Sequence, residues 1–484
     1  MLRLSERRDG VARLLSAAGN AVLAVATAIL GLFLGKVLVS PRWTAPVTAV
    51  GITLHTMLIL ANPFLGFLVW IVYSPFGRFT YQVISMGGGV PDLTLDRLVV
   101  GLLVTLVLAQ LATGQRRGVS YGRLELFTLI YVAAMGLSVH SSLLGRVTAL
   151  QNWFDVYAVP FLVYLLAKNL IGNRRDMRAA VHALIIISLY LALLATREQI
   201  TGDIWFYPPD RSIVYTANVR RVVALLGNPA YIALIINMTV PFVAWLFVTA
   251  HTGARKLLYL GILGVQGLGV FMCYNRAGWL GFVVALLVLA VLSPQFRRYY
   301  LPALIVAGVV LAVAGTAIVA DPRVAQRLYA WGPIEYRQRV LAVVLPMIRD
   351  HLLLGVGFGN FMFYFTRYAY WSPYLRALPT PHNNVLLVTV TAGLPVGICY
   401  VMIFVTLFLD TLRLYRQAGR GTFPDRTLIA ALWAACAVYL VTSMTMDAIL
   451  GSYASMILSL IMGMTLGAWG GRVMPALSES TRGA

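Results

Sequence analysis

A few residues in this chain have the types and the setting for chemistry. His382 lies in Pro379-Thr380-Pro381-His382-Asn383-Asn384, at the mouth of an apolar run. Histidine is the side chain best suited to accept a proton near neutral pH. Arg220 and Arg221 precede Gly227-Asn228-Pro229 at the entrance of a second apolar run. Arg276 sits in Asn275-Arg276-Ala277-Gly278-Trp279-Leu280, a turn so short that it lies near hydrocarbon depth. Arginine supplies a permanent, forked charge matched to phosphate oxygens. A histidine and two arginines on one face could therefore activate a hydroxyl and hold a pyrophosphate. A simpler reading competes for each: a helix-end histidine is commonly just solvated, and a cation beside lipid snorkels to the interface unless it has a partner.

Other chemistries find less support. His55 and His182 fall within apolar spans, His251 at a span end, and His140 and His351 have no polar constellation around them. Cys273, Cys399 and Cys436 are scattered, without a CxxC or a Cys/His pairing, so neither a disulfide framework nor a zinc site is indicated. No Asp-x-Asp or paired-carboxylate motif accompanies His382, so neither a chelated divalent metal nor another cofactor is expected. The Gly355-Val356-Gly357-Phe358-Gly359-Asn360-Phe361 run lacks the dinucleotide-binding spacing. It reads as a tight turn or as a backbone nest for an anion.

These residues need a scaffold, and the composition says which kind. Of 484 residues, 60% are hydrophobic and only 11% charged, with a mean hydropathy of +0.81. Apolar runs of about 20 residues recur along the chain, as in an all-α polytopic membrane bundle. The runs are continuous rather than alternating, which excludes a barrel. Candidate spans fall at about 14–39, 45–61, 63–75, 97–113, 124–141, 153–171, 179–196, 229–249, 257–274, 277–293, 299–319, 384–410, 427–446 and 453–470. Asn62-Pro63 makes the second and third either two short helices or one broken helix, so the bundle has about 12–14 transmembrane helices. The basic N-terminus, Met1 to Arg13, precedes an apolar run too long for a cleaved signal peptide, and a retained first helix is expected.

The net charge of +21 would suggest nucleic acid in a soluble protein. Here most arginines sit in short alternate loops, where they set topology, so no nucleic-acid partner is expected. The loops carrying Arg116, Arg117 and Arg123, then Arg174, Arg175 and Arg178, Arg255 and Lys256, Arg297 and Arg298, and Arg413, Arg416, Arg420 and Arg426 become cytoplasmic, together with both termini. Segment 320–383 becomes one long external loop beside the turns that hold Arg221 and Arg276. Within it, Val340, Val343, Val344, Met347 and Ile348 recur at helical spacing over Tyr336–Leu354, with Arg337, Arg349 and Asp350 among the polar positions. This predicts an interfacial helix kinked near Pro346. Residues 1–472 are expected to form a single integral membrane domain, and 473–484 a short cytoplasmic tail.

Taken in order, four elements resemble those of the O-antigen ligase and Wzy-type O-antigen polymerase superfamily. Arg221-Val222-Val223-Ala224 with Gly227-Asn228-Pro229 looks like its Arg-x-x-Gly…Asn-Pro element, with Ala224 in place of the usual glycine. Asn275 to Leu280 looks like its Ser-Arg-Gly-Ala-Trp-Leu element. Arg339, then Met347-Ile348-Arg349-Asp350-His351 and the glycine run, is similar to its loop pattern. His382-Asn383, Leu386 and Gly393 match its His-Asn-x-x-Leu…Gly signature. The resemblance covers about residues 215–400.

It implies a GT-C-like glycosyltransferase of the bacterial inner membrane. The donor would be a glycan on undecaprenyl pyrophosphate, the acceptor a second lipid-linked unit (polymerase) or a lipid A-core sugar (ligase), with membrane lipid around both. Transfer would be inverting and metal-independent, at the periplasmic face. By the same resemblance His382 would be the base, Arg221 and Arg276 the pyrophosphate clamp with Arg220 as neighbour, and Arg339 a further phosphate or sugar contact. The competing class is a transporter or flippase of lipid-linked sugars, since broken helices and Arg-lined cavities suit that too.

Overall fold

The computed structural model describes residues 44–76, 92–116, 118–205, 214–216, 219–300, 332–370, 381–418 and 423–470, with single positions between 302 and 325. The expected span at 14–39, nearly all of that at 299–319, and the tail at 473–484 lie outside them. The described chain is helical apart from one short hairpin, β1 (Val214–Thr216) against β2 (Val219–Arg221), antiparallel with Val214 opposite Arg221.

The helices begin α1 (Thr44–Ala61), α2 (Pro63–Tyr73), α3 (Leu95–Ala112), α4 (Arg123–Leu137), α5 (Arg146–Trp153), α6 (Val159–Leu170), α7 (Arg174–Thr201) and α8 (Pro229–Thr249). They continue with α9 (Gly253–Met272), α10 (Arg276–Leu292), α11 (Gly332–Asp350), α12 (Phe361–Tyr368), α13 (Asn384–Ala392), α14 (Leu394–Gln417), α15 (Arg426–Ser443) and α16 (Ser452–Gly470). Eight helices among the described residues are long and apolar enough to cross a membrane: α3, α4, α7, α8, α9, α14, α15 and α16. The protein is thus a polytopic helical membrane protein, as its composition requires. α8 runs through the middle, packed against α7, α9, α10 and α15. From Pro229 to Leu246 only its Tyr231 is not buried.

Two expected spans differ. α1 and α2 are neither two full crossings nor one broken helix but a folded-back hairpin. Asn62 caps α2 by accepting from the Leu65 amide, and Pro63 opens it. His55 Nε2 donates to the Gly66 carbonyl at 2.9 Å, and its Nδ1 accepts the Tyr73 hydroxyl at 2.9 Å. In one continuous helix residues 18 apart would be about 27 Å apart. The 11 residues of α2 rise about 16 Å, roughly half of a ~30 Å hydrocarbon core.

The second difference is at 384–410, expected as one span. Gly393, at φ 91°, separates the nine-residue α13 from α14. A Cβ at Gly397 would lie 2.2 Å from Thr389 Oγ1, so α13 is folded against α14 rather than continuing it. α14 alone, with 24 residues, makes the crossing. The loop helix did form: α11 buries Val340, Val343, Val344 and Met347 against Phe361 and Phe365 of α12 and Val390 of α13, with Pro346 inside it.

Polar contacts sort the bundle into two ends. At one, the Tyr415 hydroxyl donates to the Leu292 carbonyl, Ser293 meets Thr427 at 3.0 Å, and Trp245 Nε1 donates to Asp425 at 3.1 Å. These join the arginine-rich loops. At the other end His382, the glycine run and the links after α4, α7 and α15 come together.

Candidate active site

The two asparagines after His382 fix its position. Asn383 caps α13, its side chain accepting from the Leu386 amide, while its own N–H donates to Asp447 Oδ1 at 3.2 Å. Asn384 is fully buried: its Nδ2 donates to the Tyr400 and Tyr439 hydroxyls at 3.0 and 3.3 Å, and its Oδ1 accepts from the Ile449 amide. The His-Asn-Asn triplet is therefore stapled to the link between α15 and α16. His382 itself has φ 50°, a left-handed conformation that costs a non-glycine residue on the order of 1 kcal/mol. Its ring stands edge-on to Tyr336 of α11, centroids 5.9 Å apart. Burial first, and then the charge of Arg337, push its pKa down to about 4.

Arg337 is half-buried and donates from Nη2 to the Thr445 carbonyl at 2.9 Å. Burial and the charge of Arg276 lower its own pKa. Arg337 thus stands between the other two, feeling the charge of Arg276 while its own charge acts on His382.

Arg276 opens α10. Asn275 caps that helix through the Gly278 amide at 3.1 Å, and Asn237 of α8 donates to the Gly278 carbonyl at 2.7 Å. A Cβ at Gly278 would stand 2.7 Å from that of Ala233. The small residues after Arg276 therefore let α10 lie against α8 and fix where the guanidinium starts.

Arg221 ends β2 and leads into a turn over Ala224–Gly227. Glu198, 3% exposed, accepts from the Val223 and Ala224 amides at 2.9 and 2.7 Å, clamping that turn to α7. Ala224 has φ 38°; it occupies a left-handed position that glycine fills without strain. The Cys273 thiol, three residues before Arg276, feels the charges of both Arg221 and Glu198. The Arg220 side chain lies outside the described residues. Arg339 is exposed and pairs with Glu335 on the outer side of α11. Two residues along a helix point to nearly opposite sides, so Arg337 and Arg339 cannot serve one pocket from the same face.

The glycine run resolves as a docked turn. The amides of Val356, Gly357 and Phe358 donate to the carbonyls of Val390, Thr391 and Ser138, which leaves those three N–H groups unavailable to an anion. Asn360, 2% exposed, accepts from the Leu143 amide and donates to the Ser141 and Val356 carbonyls. The loop is bolted in this way to α13 and to the end of α4.

Arg337, Asp447 and Glu198 do not stand out in the sequence as site residues. Arg337 reads there as one of the polar positions, yet it continues the stripe of Val340, Val344 and Met347 at intervals of three and four. A cation at the end of an apolar stripe was the available signal. Among the described residues no group of three or more His, Cys, Asp or Glu is placed to hold a metal ion.

Fold and cluster together define a multi-pass membrane protein with a cation-lined site at one end of its bundle. Residues 258–401 match the model of a family described as O-antigen ligase. That stretch runs from α9 through Arg276, Arg337 and His382 to α14, so the resemblance to the O-antigen ligase and Wzy-type superfamily holds across the core of this site, while Arg221 lies outside the match. No curated protein matches the chain.

Proposed function

We propose that this protein transfers a glycan from an undecaprenyl-pyrophosphate donor to an acceptor hydroxyl, with inversion, at the periplasmic face of the bacterial inner membrane. The O-antigen ligase match supports lipid-linked glycan transfer in general. The observation that carries the finer reading is the succession of charged groups in which Arg276 acts on Arg337 and Arg337 on His382, with Tyr336, next to Arg337, standing edge-on to the His382 ring. Guanidinium forks match phosphate oxygens, and a pyrophosphate is the anion suited to such a set.

The acceptor oxygen attacks the anomeric carbon. Its new C–O bond forms as the bond to the pyrophosphate oxygen breaks, and the electron pair leaves with the pyrophosphate. Arg276 and Arg337, together with Arg221, stabilise the charge that grows there. The acceptor's proton passes to a ring nitrogen of His382. A histidine with a pKa near 4 is neutral at physiological pH and so free to accept, though a weak base. A bound pyrophosphate offsets the arginine field and raises that basicity, coupling base strength to donor occupancy. Arg339 is available to a sugar or phosphate passing over the outer side of α11.

The test uses purified protein in detergent with EDTA, given lipid-pyrophosphate oligosaccharide alone and then with candidate acceptors. Products are followed by gel and mass spectrometry. Extension from donor alone means a polymerase, and transfer only with a second acceptor means a ligase. His382→Ala lowers the rate by about 10²–10⁴-fold while the protein stays folded. No covalent product under any condition transfers the case to a transporter of lipid-linked sugars.

A further inference from the structure

The end of the bundle opposite His382 holds a cavity of about 820 Å³ between α7, α8, α14 and α15. Arg174, Arg298, Arg426 and His251 line it, and among the described residues its one carboxylate is Asp425. Asp425 is already engaged: one oxygen caps α15 through the Leu428 amide and the other accepts from Trp245 Nε1. Three arginines, all solvent-exposed, therefore border a space whose described lining offers no uncommitted carboxylate.

Two of the three are held in place. Arg426 donates from Nε to the Tyr415 carbonyl and lies 5.7 Å from that residue's ring centroid. Arg298 donates to the Tyr299 hydroxyl and lies over its ring at 4.7 Å. Preorganised guanidinium forks of this kind suit phosphate oxygens. A second chamber of about 360 Å³ adjoins the first, sharing Thr249, Ala250 and His251 with it. Arg178, Arg255 and His182 line that chamber, and among the described residues no carboxylate does. The Arg178 Nε is buried and has no hydrogen-bond partner among the described residues. A buried donor left unpaired is destabilising, and a bound acceptor relieves that.

We propose that these adjoining basic chambers form a binding site for a phosphate-bearing anion, remote from the glycan-transfer site. The ligand chemistry is a phosphate mono- or diester, or a diphosphate. Its sources are an anionic phospholipid headgroup, which basic pockets between transmembrane helices are suited to hold, or a soluble phosphate compound.

The experiment uses full-length protein in detergent and in zwitterionic nanodiscs. Native mass spectrometry scores adducts with cardiolipin and with phosphatidylglycerol, against phosphatidylcholine as the neutral reference. A parallel titration uses inorganic pyrophosphate. The test variant is Arg174→Gln/Arg298→Gln/Arg426→Gln, and the control is Arg413→Gln/Arg416→Gln, basic residues of the same end that do not line the cavity. At least a tenfold loss of lipid adduct in the triple variant alone supports the site with a lipid source. The same selective loss of pyrophosphate binding supports it with a soluble source. Equal losses in test and control, or no binding of any probe to wild type, overturn it. Arg174→Gln alone, at an exposed first-turn position, gives a smaller loss of the same selectivity should the triple variant fail to fold.

Discussion

Arg337→Gln separates two roles that one side chain plays at this site. The His382 pKa stands near 4 against an ordinary 6.5, with burial the larger cause and Arg337 the smaller. Removing the charge while keeping a side chain of similar length returns less than half of that difference. The His382 pKa should therefore rise, but to no more than about 5. His382 must be neutral to accept a proton, so activity is lost as pH falls through its pKa. In the variant the acid limb of kcat/KM, which reports the free enzyme, moves upward from near 4. On the proposed mechanism the variant also loses one donor to the leaving pyrophosphate, a loss of about 10²–10³ in kcat by analogy with other preorganised donors. Arg337→Lys keeps the charge and loses the fork, so its acid limb stays while kcat falls. The assay is glycan transfer in detergent over pH 3.5–8 (approximate range chosen to bracket both values), with unfolding checked at each pH. An acid limb that stays put in Arg337→Gln, or moves down, refutes the electrostatic link between Arg337 and His382.

The same geometry sets further outcomes. Arg339→Gln should cost activity far less than Arg337→Gln, because Arg339 is exposed and already paired with Glu335; comparable losses in side-by-side rates would place the donor on the other side of α11. Gly393→Ala should destabilise by at least about 2 kcal/mol, since φ is 91° and a Cβ would stand 2.0 Å from the Leu353 carbonyl oxygen; a melting temperature unchanged from wild type contradicts this. Ala224→Gly relieves a left-handed alanine but loosens the unfolded chain, two effects of about 1 kcal/mol that nearly cancel, so its melting temperature and activity should stay close to wild type. Glu198→Ala strands two buried amides at roughly 1–3 kcal/mol each and should lower both stability and transfer, whereas a variant with full activity would show that the turn after Arg221 does not need its clamp.

Hydropathy made the bundle legible, because about 20 apolar residues in succession have few other uses. It misread 384–410 for the same reason. A window of apolar residues does not register that Gly393 turns the backbone, and α13 is as apolar as a span. Asn62-Pro63 did mark a break, but composition cannot say whether the chain bends or folds back; that was decided by His55 reaching both Gly66 and Tyr73. At the site, His382 and Arg276 stood out by residue type at span ends. Arg337 did not, since a helix read as interfacial has an ordinary place for arginine on its polar side. Its position became evident only once α15 and α16 were in place, with Thr445 to receive it. Asp447 and Glu198 were equally hidden, because carboxylates that bind backbone amides across a fold leave no local spacing to detect.

The supports of the His382 loop bear on how this protein can be taken apart. Ser138 and Leu143 anchor the glycine run, Asp447 and Ile449 hold the triplet at His382, and Thr445 receives Arg337. All five lie outside the 258–401 stretch that carries the family match. That stretch is not a transplantable module. A chimera that exchanges only those residues with a protein of the matched family inherits docking partners it was not built for, and borders for exchange belong before α4 and after α16.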